Sequence, residues 1–446
     1  MTQFDPALTA RALTARVPRY TSYPPATQFD GSVGPEVAGR WLGAVPAGAA
    51  ISLYAHIPFC RRLCWFCACR TQGTRTDAPL APYVDDLLRE AETVAAALPA
   101  GVGLSHLHLG GGTPTLLPAP LLLRLFAGLR DLFPLRPGAE VSVEVDPTEL
   151  GEARLDALAE AGVTRASLGV QDFAPQVQDA IGRHQSFAQT KAAIDGLRAR
   201  GITGINLDLL YGLPHQTEAT LRDTLDLAET LDPDRIALFG YAHVPWASKR
   251  QVMIKADALP DGEGRLAMFD LARARLVQAG FERIGIDHFA RPDDPLATAA
   301  RDGRLRRNFQ GYTTDDAGYL VGLGASAISM LPHGFAQNAA RTADWKARVQ
   351  AGRLSVVRGH TLTSDDRVRG AAIERLLCDF ALDADDSSDP AMIRQLIDRA
   401  MAAWPGAMVR RGNRVAILPE AEHLARMIAA EFDGYVTQAG RHSVAV

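Results

Sequence analysis

Four of the five cysteines in this 446-residue chain lie within ten residues of one another. Cys60, Cys64 and Cys67 follow a C-x3-C-x2-C pattern, and Cys69 comes two residues later. Three thiolates on a turning loop can hold three irons of a cubane 4Fe–4S cluster and leave the fourth iron without a protein ligand. The spacing therefore predicts an iron–sulfur cluster with one open binding position.

Two other uses of these thiols stay open on the sequence alone. Four cysteines could close a tetrahedral zinc site, but zinc ligands usually come as two separated pairs, and Cys67 and Cys69 are too close for such a pair. A disulfide framework fits less well, because cysteine is scarce elsewhere and no secretory segment precedes the stretch. The fifth cysteine, Cys378, lies on an apolar helical face and is expected to be a small buried hydrophobe.

The composition is that of a soluble globular enzyme with two or three domains. Hydrophobic residues make up 47% of the chain and charged residues 22%. The formal net charge of -4 argues against a general nucleic-acid binder, which needs a basic surface. No signal peptide and no apolar run of ~18 residues is present. We therefore expect a cytoplasmic protein with neither a nucleic-acid nor a membrane partner.

The elements that must position the cysteine loop alternate between strands and helices from residue 51 onward. Apolar runs predict six strands, at Ile51–Ile57, Leu104–Leu109, Glu140–Val145, Arg165–Val170, Gly204–Leu210 and Arg235–Tyr241. Apolar spacing of three and four residues predicts five helices between them, at Tyr83–Leu98, Leu121–Leu132, Glu152–Ala161, Phe187–Arg200 and Glu218–Leu231. Six β/α units are too few for a closed eight-fold barrel, so the pattern predicts a partial, TIM-like (β/α)6 barrel.

Three parts of the chain follow from this pattern. Residues 1–50 form an N-terminal extension, residues 51–260 the partial barrel, and residues 261–446 a mainly α-helical C-terminal domain that completes the active site. Within the last part we expect helices at Gly262–Ala279, Arg367–Phe380 and Met392–Ala403, and a hairpin from Met408 to Leu418.

Polar residues and a glycine run gather at the carboxyl ends of the predicted strands, where barrels of this kind place their chemistry. Glycines in the Gly110–Gly112 run would let backbone approach a ligand closely. A strand-end carboxylate such as Glu144 is usually a solvated surface group, but its place on this rim favours a ligand. Asp208 and Gln171 admit the same argument, while His56 is expected to be a hydrogen-bonded structural residue.

The cysteine stretch resembles the signature of the radical S-adenosylmethionine (SAM) enzymes. A closer resemblance, to the oxygen-independent coproporphyrinogen III oxidase family, runs in order from about Val17 to Ile328. It rests on the segments V-P-R-Y-T-S-Y-P-P, L-Y-A-H-I-P-F-C-R-R-L-C-W-F-C-A-C, G-G-G-T-P-T, E-V-D-P, G-V-Q-D-F, G-I-D-H-F-A-R-P-D-D, R-N-F-Q-G-Y-T-T and G-A-S-A-I-S-M.

This resemblance implies the roles of individual residues. Cys60, Cys64 and Cys67 are the implied ligands of the 4Fe–4S cluster. The SAM bound to the cluster would contact Tyr54, Gly111, Glu144 and Ile328. A second SAM position would involve Phe66, Gly112, Thr113, Gln171, Arg183, Asp208 and Ala242. Tyr54, Cys69 and Glu144 are the candidate catalytic residues.

The implied reaction turns two propionates of coproporphyrinogen III into vinyl groups, giving protoporphyrinogen IX and carbon dioxide. A 5′-deoxyadenosyl radical would abstract a hydrogen from the propionate β-carbon, and loss of carbon dioxide and one electron completes each vinyl. The substrate carries four carboxylates, for which Arg19, Arg304, Arg306 and Arg307 are candidates; surface charge is the ordinary alternative. A reducing electron donor such as a flavodoxin or ferredoxin and a monomeric state are also expected.

Two alternatives remain beside this function. One is a haem-binding relative with the cluster but without oxidase activity, and the other is a zinc-binding interaction protein. The haem-binding relative typically lacks the P-R-Y-T-S-Y-P segment and the cysteine corresponding to Cys69, both of which this chain has.

Overall fold

The centre of the structure is a sheet of parallel strands whose carboxyl ends meet at one rim. The computed structural model describes residues 6–435. Residues 1–5 of the predicted extension and 436–446 of the predicted C-terminal domain lie outside the described residues. The strands are β1 (Ala50–Ile57), β2 (Phe59–Cys60), β3 (Gln72–Gly73), β4 (Gly103–Gly111), β5 (Leu135–Val145), β6 (Arg165–Gln171), β7 (Gly204–Tyr211), β8 (Arg235–Gly240), β9 (Glu282–Ile284), β10 (His288–Ala290), β11 (Arg306–Asn308), β12 (Gly311–Thr313), β13 (Leu320–Leu323), β14 (Ile328–Leu331), β15 (Gly334–Asn338), β16 (Val356–Thr361), β17 (Ala381–Asp383), β18 (Met408–Arg411) and β19 (Arg414–Ile417).

Helices cover the outer face of this sheet and build the C-terminal part. They are α1 (Pro6–Thr14), α2 (Pro35–Gly43), α3 (Leu80–Ala97), α4 (Ala119–Leu132), α5 (Glu152–Glu160), α6 (Pro175–Ile181), α7 (Phe187–Arg198), α8 (Glu218–Thr230), α9 (Gly262–Gln278), α10 (Pro295–Arg301), α11 (Thr342–Gln350), α12 (Ser364–Asp379), α13 (Pro390–Ala403) and α14 (Ala425–Ala430). Within the described part of the chain, none of these helices is both long and apolar enough to span a membrane.

The predicted partial barrel is confirmed. The six predicted strands correspond to β1 and β4–β8, which pair in parallel, and the five predicted helices correspond to α3, α4, α5, α7 and α8. Local signals explain the helix starts: Ser186 and Gln189 form a reciprocal capping box at the start of α7, and Thr217 and Thr220 form one at α8.

Alternation along the strands points polar residues toward the barrel lumen. In β6, Ala166, Leu168 and Val170 are buried in the core between sheet and helices, whereas the residues between them, Ser167 and Gln171 among them, are only partly buried. Successive strand residues face opposite sides of a sheet, so these polar residues face the lumen. The same period places Asn206 and Asp208 of β7 beside Ser167.

The sheet is wider than the six predicted strands. Within residues 6–435 it has twelve strands in the order β16-β15-β14-β13-β1-β4-β5-β6-β7-β8-β10-β9. β13 adds a seventh parallel strand beside β1, and the strands beyond β13 and β8 are antiparallel. The sheet therefore continues past residue 260, and the three domain boundaries stay predictions.

The remaining C-terminal residues form a second core. The predicted helices and hairpin are present as α9, α12, α13 and the β18–β19 pair, which joins β17 in a small antiparallel sheet. Buried residues of α12–α14 pack together with Tyr20 and Tyr23 of the N-terminal segment. The N-terminal segment thus belongs to the packing of the C-terminal part.

Candidate active site at the cysteine loop

The four clustered cysteines lie on a loop between two short paired strands. Cys60 is the last residue of β2, which pairs with β3, so residues 61–71 form a loop whose two ends are held together. Cys60, Cys64, Cys67 and Cys69 all line one cavity at the carboxyl-terminal rim of the barrel. A strand–loop connection therefore places every thiol of the stretch at the edge where the sequence predicts the chemistry.

Each sulfur of the C-x3-C-x2-C pattern has a different hydrogen-bond donor. The Thr113 hydroxyl donates to Cys60 Sγ at 3.7 Å, Arg183 Nη1 to Cys64 Sγ at 3.5 Å, and the Cys69 amide to Cys67 Sγ at 3.4 Å. The Cys69 thiol also donates to Cys67 and lowers the pKa of Cys67 to about 6, whereas burial raises the pKa of Cys60 to about 11. Positive charge and donors around the sulfurs suit thiolates.

The donor set fits a cluster better than a single ion. In residues 6–435, no three His, Cys, Asp or Glu side chains converge as ligands of one metal ion. A cubane cluster takes each cysteine sulfur on a separate iron, so its ligands surround the cluster and need not converge on a single atom. Soft thiolates on a partly buried loop are the ligands that iron–sulfur clusters use.

The glycine run is pinned against the base of the cysteine loop. The Gly112 amide donates to the Ile57 carbonyl at 2.8 Å, and the Thr113 amide donates to the Phe59 carbonyl at 2.8 Å. A Cβ on Gly112 would lie 2.6 Å from the Phe59 oxygen, and Gly111 has a φ of +114°, where side chains are strained. Glycine is therefore required here for the loop to approach the cysteines.

Glu144 connects the glycine run to the barrel lumen. Its Oε2 accepts from the Gly111 amide at 2.8 Å, and its Oε1 lies 3.4 Å from His108 Nε2. Burial alone would raise the pKa of Glu144, but the hydrogen bond and charge of His108 hold it below the ordinary value. Glu144 is thus kept ionised at the rim, which suits the binding of an ammonium group.

Arg183 is a buried cation of the rim beside the cysteines. Its Nη1 lies 3.3 Å from Asp146 Oδ2, and its Nη2 donates to the Gly169 carbonyl at 2.7 Å. Burial lowers the pKa of this guanidinium, but the charge of Asp146 and the neighbouring cysteine sulfurs together raise it above the ordinary value. Asp146 therefore orients Arg183 toward Cys64, a role that the E-V-D-P pattern signalled only through its place at a strand end.

Asp208 lies deeper in the lumen beside Glu144. Ser167 Oγ donates to it at 3.1 Å and Asn206 Nδ2 at 3.0 Å. Burial and the neighbouring charge of Glu144 raise the pKa of Asp208 to about 6. Gln171, at the end of β6, has a φ of +71° and lines the same cavity.

The structure brings most of the predicted site residues together, but not all of them. The cavity is lined by Cys60, Cys64, Phe66, Cys67, Cys69, Gly111, Gly112, Thr113, Glu144, Gln171, Arg183 and Asp208. Tyr54, Ala242 and Ile328 are not in its lining. Tyr54 stacks on His108 with ring centroids 5.7 Å apart, and Ile328 lies on β14 next to Gly322, the partner of Tyr54 in the sheet. His56 is hydrogen-bonded at both ring nitrogens, as expected of a structural residue.

A short 3-10 helix, Lys249–Met253, holds the cysteine loop in place, and no sequence pattern predicted this helix. Gln251 Nε2 donates to the Phe66 carbonyl at 2.7 Å and to the Ala242 carbonyl at 3.1 Å. The Ser248 hydroxyl donates to the Cys67 carbonyl at 2.9 Å. Only the burial of Gln251, a long polar residue that is 1% exposed, marks this role, and burial is not visible in a sequence.

The four candidate arginines for substrate carboxylates separate into two pairs. Arg304 is 63% exposed and pairs with Asp302, and Arg306 is half-exposed and pairs with Glu374. Arg307 is buried beside Asp287, and Arg19 donates to the Gly240 carbonyl at the rim. Arg19 and Arg307 are therefore the less exposed pair of the four.

Comparisons with known proteins agree with this geometry. The family model for the radical SAM superfamily matches residues 54–228. An oxygen-independent coproporphyrinogen III oxidase of Paracoccus denitrificans is 53% identical, with 97% of each chain covered. One from Escherichia coli is 43% identical over 82% of this chain and 80% of its own. The solved structure of coproporphyrinogen III oxidase (HemN) from Escherichia coli, described as a radical SAM enzyme, superposes with a TM-score of 0.89 at 38% identity, covering 97% of this chain and 99% of that chain. The chain therefore belongs to the oxygen-independent coproporphyrinogen III oxidase family of the radical SAM superfamily.

Proposed function

We propose that this protein is an oxygen-independent coproporphyrinogen III oxidase, which converts two propionates of coproporphyrinogen III to vinyl groups and so forms protoporphyrinogen IX. The observation that carries the proposal is the convergence of the cysteine loop, the glycine run and Glu144 on one rim cavity in a chain of this family. Each vinyl requires the loss of one hydrogen atom, one carbon dioxide and one further electron, which balances the conversion.

Cys60, Cys64 and Cys67 would hold a 4Fe–4S cluster, and Tyr54, Gly111, Glu144 and Ile328 would contact the SAM bound to it. When bound, the cluster and SAM supply the abstraction of a hydrogen atom from the propionate β-carbon. A second SAM would use Phe66, Gly112, Thr113, Gln171, Arg183, Asp208 and Ala242. Cys69 lies beside the three proposed ligands, and its thiol is hydrogen-bonded to Cys67. We propose that Cys69 acts in turnover without binding iron.

The chain's own residues supply position and charge. Glu144 presents an ionised carboxylate beside the open backbone of Gly111, which suits the ammonium group or ribose hydroxyls of SAM. Arg183 supplies the opposite charge near Cys64, which suits a carboxylate. Ser248 and Gln251 hold the cysteine loop in position at the rim through hydrogen bonds to its carbonyls.

The remaining parts of the proposal concern the surroundings of the enzyme. A reducing protein such as a flavodoxin or ferredoxin would donate the electron, and the enzyme would act as a cytoplasmic monomer. Residues 1–50 and 261–446 would complete the active site around the barrel of residues 51–260. The packing of Tyr20 and Tyr23 with the C-terminal core supports a common role of the two flanking parts.

The test is an assay under reducing, oxygen-free conditions. Purified protein should contain iron, cleave SAM to 5′-deoxyadenosine, and release carbon dioxide from coproporphyrinogen III as protoporphyrinogen IX forms. Cys60→Ala should lose iron and both activities, whereas Cys378→Ala, a matched change at the buried cysteine of α12, should keep them.

Two results would contradict the proposal. Stoichiometric zinc without iron would favour the zinc-binding interaction protein. A cluster-loaded protein that cleaves SAM and binds haem, yet releases no carbon dioxide when an electron acceptor is present, would favour the haem-binding relative.

A further inference from the structure

A second, open cavity lies against the cysteine loop at the protein surface. Its lining comes from three distant parts of the chain, which are Pro58 with residues 68–72 of the loop, residues 247–250 around the start of the 3-10 helix, and Ala325 with residues 340–343 at the start of α11. The side chains of Arg70, Lys249 and Arg341 are exposed. We call this space the outer cavity, and its exposure makes it accessible to another protein.

Positive charge is concentrated around the outer cavity. Its lining includes Arg70, Lys249, Arg250 and Arg341 and contains no Asp or Glu. Among residues 6–435, no carboxylate forms an ion pair with the first three, whereas Arg341 lies 3.7 Å from the exposed Asp344. The whole chain has a formal net charge of -4. These four side chains, the basic surface, are therefore a local exception on an acidic protein, and such a surface attracts acidic partners.

Large apolar residues are also exposed in the segment that carries Lys249 and Arg250. Trp246 is 44% exposed, Val252 69% and Met253 55%. Three of the seven large hydrophobic residues that are exposed in the described part of the chain thus fall within eight positions. Single exposed apolar residues are ordinary, but Trp, Met and Arg together are the types enriched in protein–protein interfaces.

The outer cavity adjoins the candidate cluster site. Cys69, Thr71 and Arg250 line both the outer cavity and the cavity that contains the proposed cluster ligands. Ser248, which also lines the outer cavity, donates to the Cys67 carbonyl at 2.9 Å. The lumen cavity around Asp208, in contrast, shares no lining residue with the outer cavity. A partner in the outer cavity would therefore contact the cysteine loop and leave the lumen free for substrate.

We propose that the basic surface docks an acidic one-electron carrier protein, a flavodoxin or a ferredoxin, against the cysteine loop. This inference rests on the proposed function, which requires a reducing protein but assigns it no place on the molecule. In the docked complex the reduced cofactor of the carrier loses one electron, which passes to the cluster that Cys60, Cys64 and Cys67 would hold. Opposite charges speed the encounter and orient the carrier, and contact with the loop keeps the path of the electron short.

The experiment measures docking without turnover. A bacterial flavodoxin, a small acidic protein with bound FMN, is labelled with a fluorophore and titrated with the cluster-loaded full chain under oxygen-free conditions. Arg70→Glu and Lys249→Glu are each expected to weaken binding about fivefold or more at low ionic strength, and the double variant further. Arg411→Glu, at an exposed position of β18 in the small C-terminal sheet, is the matched charge reversal and should bind like the unmodified protein.

Further measurements separate docking from a structural role of the same residues. Added salt should weaken flavodoxin binding to the unmodified protein and have a smaller effect on the double variant, because salt screens exposed charges. Arg70→Lys keeps the charge and should keep the affinity. Reduction of the cluster by reduced flavodoxin should slow in the Glu variants, while iron content and SAM cleavage driven by dithionite stay unchanged.

The inference is overturned if both Glu variants, with normal iron content and circular dichroism, bind flavodoxin as tightly as the unmodified protein, or if the binding does not respond to salt. It is also overturned if neither flavodoxin nor a plant-type ferredoxin binds the unmodified protein, or if the Glu variants lose affinity for coproporphyrin III instead. Because docking and cluster reduction are measured without coproporphyrinogen III, a protein that docks flavodoxin here but lacks oxidase activity would refute the proposed function alone.

Discussion

Glu144 touches two parts of the candidate site through its two carboxylate oxygens. One oxygen accepts from the Gly111 amide and the other lies beside His108, which in turn stacks on Tyr54. A single side chain therefore fixes the glycine run relative to the lumen. Because its pKa is held below the ordinary value, Glu144 also brings a full negative charge to the rim.

Glu144→Gln tests that charge. The amide oxygen can still accept from Gly111, so the glycine run should keep its place, but the interaction with a SAM cation is lost. We expect SAM to bind about tenfold to a hundredfold more weakly, with the iron content unchanged. Equilibrium dialysis of SAM against the cluster-loaded protein measures this change. Glu160→Gln, on the exposed end of α5, is the control, and equal SAM affinity in both variants would return Glu144 to a structural role.

The raised pKa of Asp208 predicts that the stability of the protein depends on pH. Its pKa in the folded protein is about 6, above the ordinary value of an aspartate, so folding favours its protonated form. The stability that this contributes is present below about pH 4 and is lost as pH rises through about 6. The free energy of unfolding should therefore fall less between pH 5 and 7.5 in Asp208→Asn than in the unmodified protein.

The contribution of Glu144 to the raised pKa of Asp208 can be tested in the same pH profile of stability. Since the charge of Glu144 raises the pKa of Asp208, Glu144→Gln should move the inflection of the stability profile to lower pH. Asp179→Asn, at an aspartate whose side chain is 71% exposed, should leave the profile as it is. Identical pH profiles for Asp208→Asn and the unmodified protein would exclude a raised pKa at this position.

Among the elements, the short 3-10 helix Lys249–Met253 and the residue before it hold the cysteine loop in place. It follows β8 and reaches back over the cysteine loop, where Gln251 and Ser248 donate to loop carbonyls and Arg250 donates to the Thr71 carbonyl. A loop that must hold a cluster needs a fixed backbone, and these donors fix it from outside. Gln251 further ties the loop to Ala242, the segment proposed to contact the second SAM.

Gln251→Glu should loosen this attachment. The carboxylate keeps the size of the side chain but places a negative charge against two carbonyl oxygens that lose their donor. We expect a fall in iron content after reconstitution, and a partial rescue at low pH, where the protonated acid donates again. Iron analysis and the electron paramagnetic resonance signal of the reduced cluster report both. Lys249→Met, at an exposed position in the same helix, is the control. Normal iron content and an unchanged signal in Gln251→Glu would show that the cysteine loop keeps its conformation without the hydrogen bonds from Gln251.

The contrast between elements explains what the sequence could predict. The six strands and five helices of the barrel are long and periodic, so local pattern was sufficient for them. Strands β9, β10 and β13–β16 are only three to six residues long, too short for a clear local pattern. They join the large sheet through distant partners of β13 and β10, such as Ser52 for Leu320 and Ile236 for Phe289. The cysteines and Glu144 were visible because their residue types are unusual at those places. Gln251 resembles an ordinary surface residue and acquires a role only through long-range packing.

At the scale of the whole molecule, the N-terminal segment connects the barrel to the C-terminal core. Arg19 donates to Gly240 at the barrel rim at 2.7 Å, while the next residue, Tyr20, donates through its hydroxyl to Asp433 Oδ2 at 2.9 Å. Tyr23 accepts from the Gly434 amide at 2.8 Å. Tyr20 is 5% exposed and Asp433 6%, so this connection is buried. The segment around Arg19–Tyr23, which the sequence predicts as part of an N-terminal extension, therefore contacts both the barrel and the C-terminal core.

Tyr20→Phe should weaken this connection without touching an iron ligand. Asp433 loses a donor in a buried place, which costs about 1–3 kcal/mol, and the transition of thermal unfolding should move down by a few degrees. Because Arg19 is the neighbouring residue, we expect KM for coproporphyrinogen III to rise while iron content and substrate-free SAM cleavage stay constant.

Deleting residues 1–30 should impair the conversion far more and still leave the cluster detectable, since it removes no iron ligand.

A double-mutant cycle with Asp433→Asn decides whether the effect runs through the Tyr20–Asp433 contact. If it does, the changes in stability and KM from the two substitutions will be less than additive, because either substitution alone already breaks the charge-assisted hydrogen bond. Additive effects, or a fall in iron content in Tyr20→Phe, would mean instead that Tyr20 supports the barrel through packing. In that case the N-terminal segment would influence the cluster directly, and Arg19 would keep its position on the rim without help from the C-terminal core.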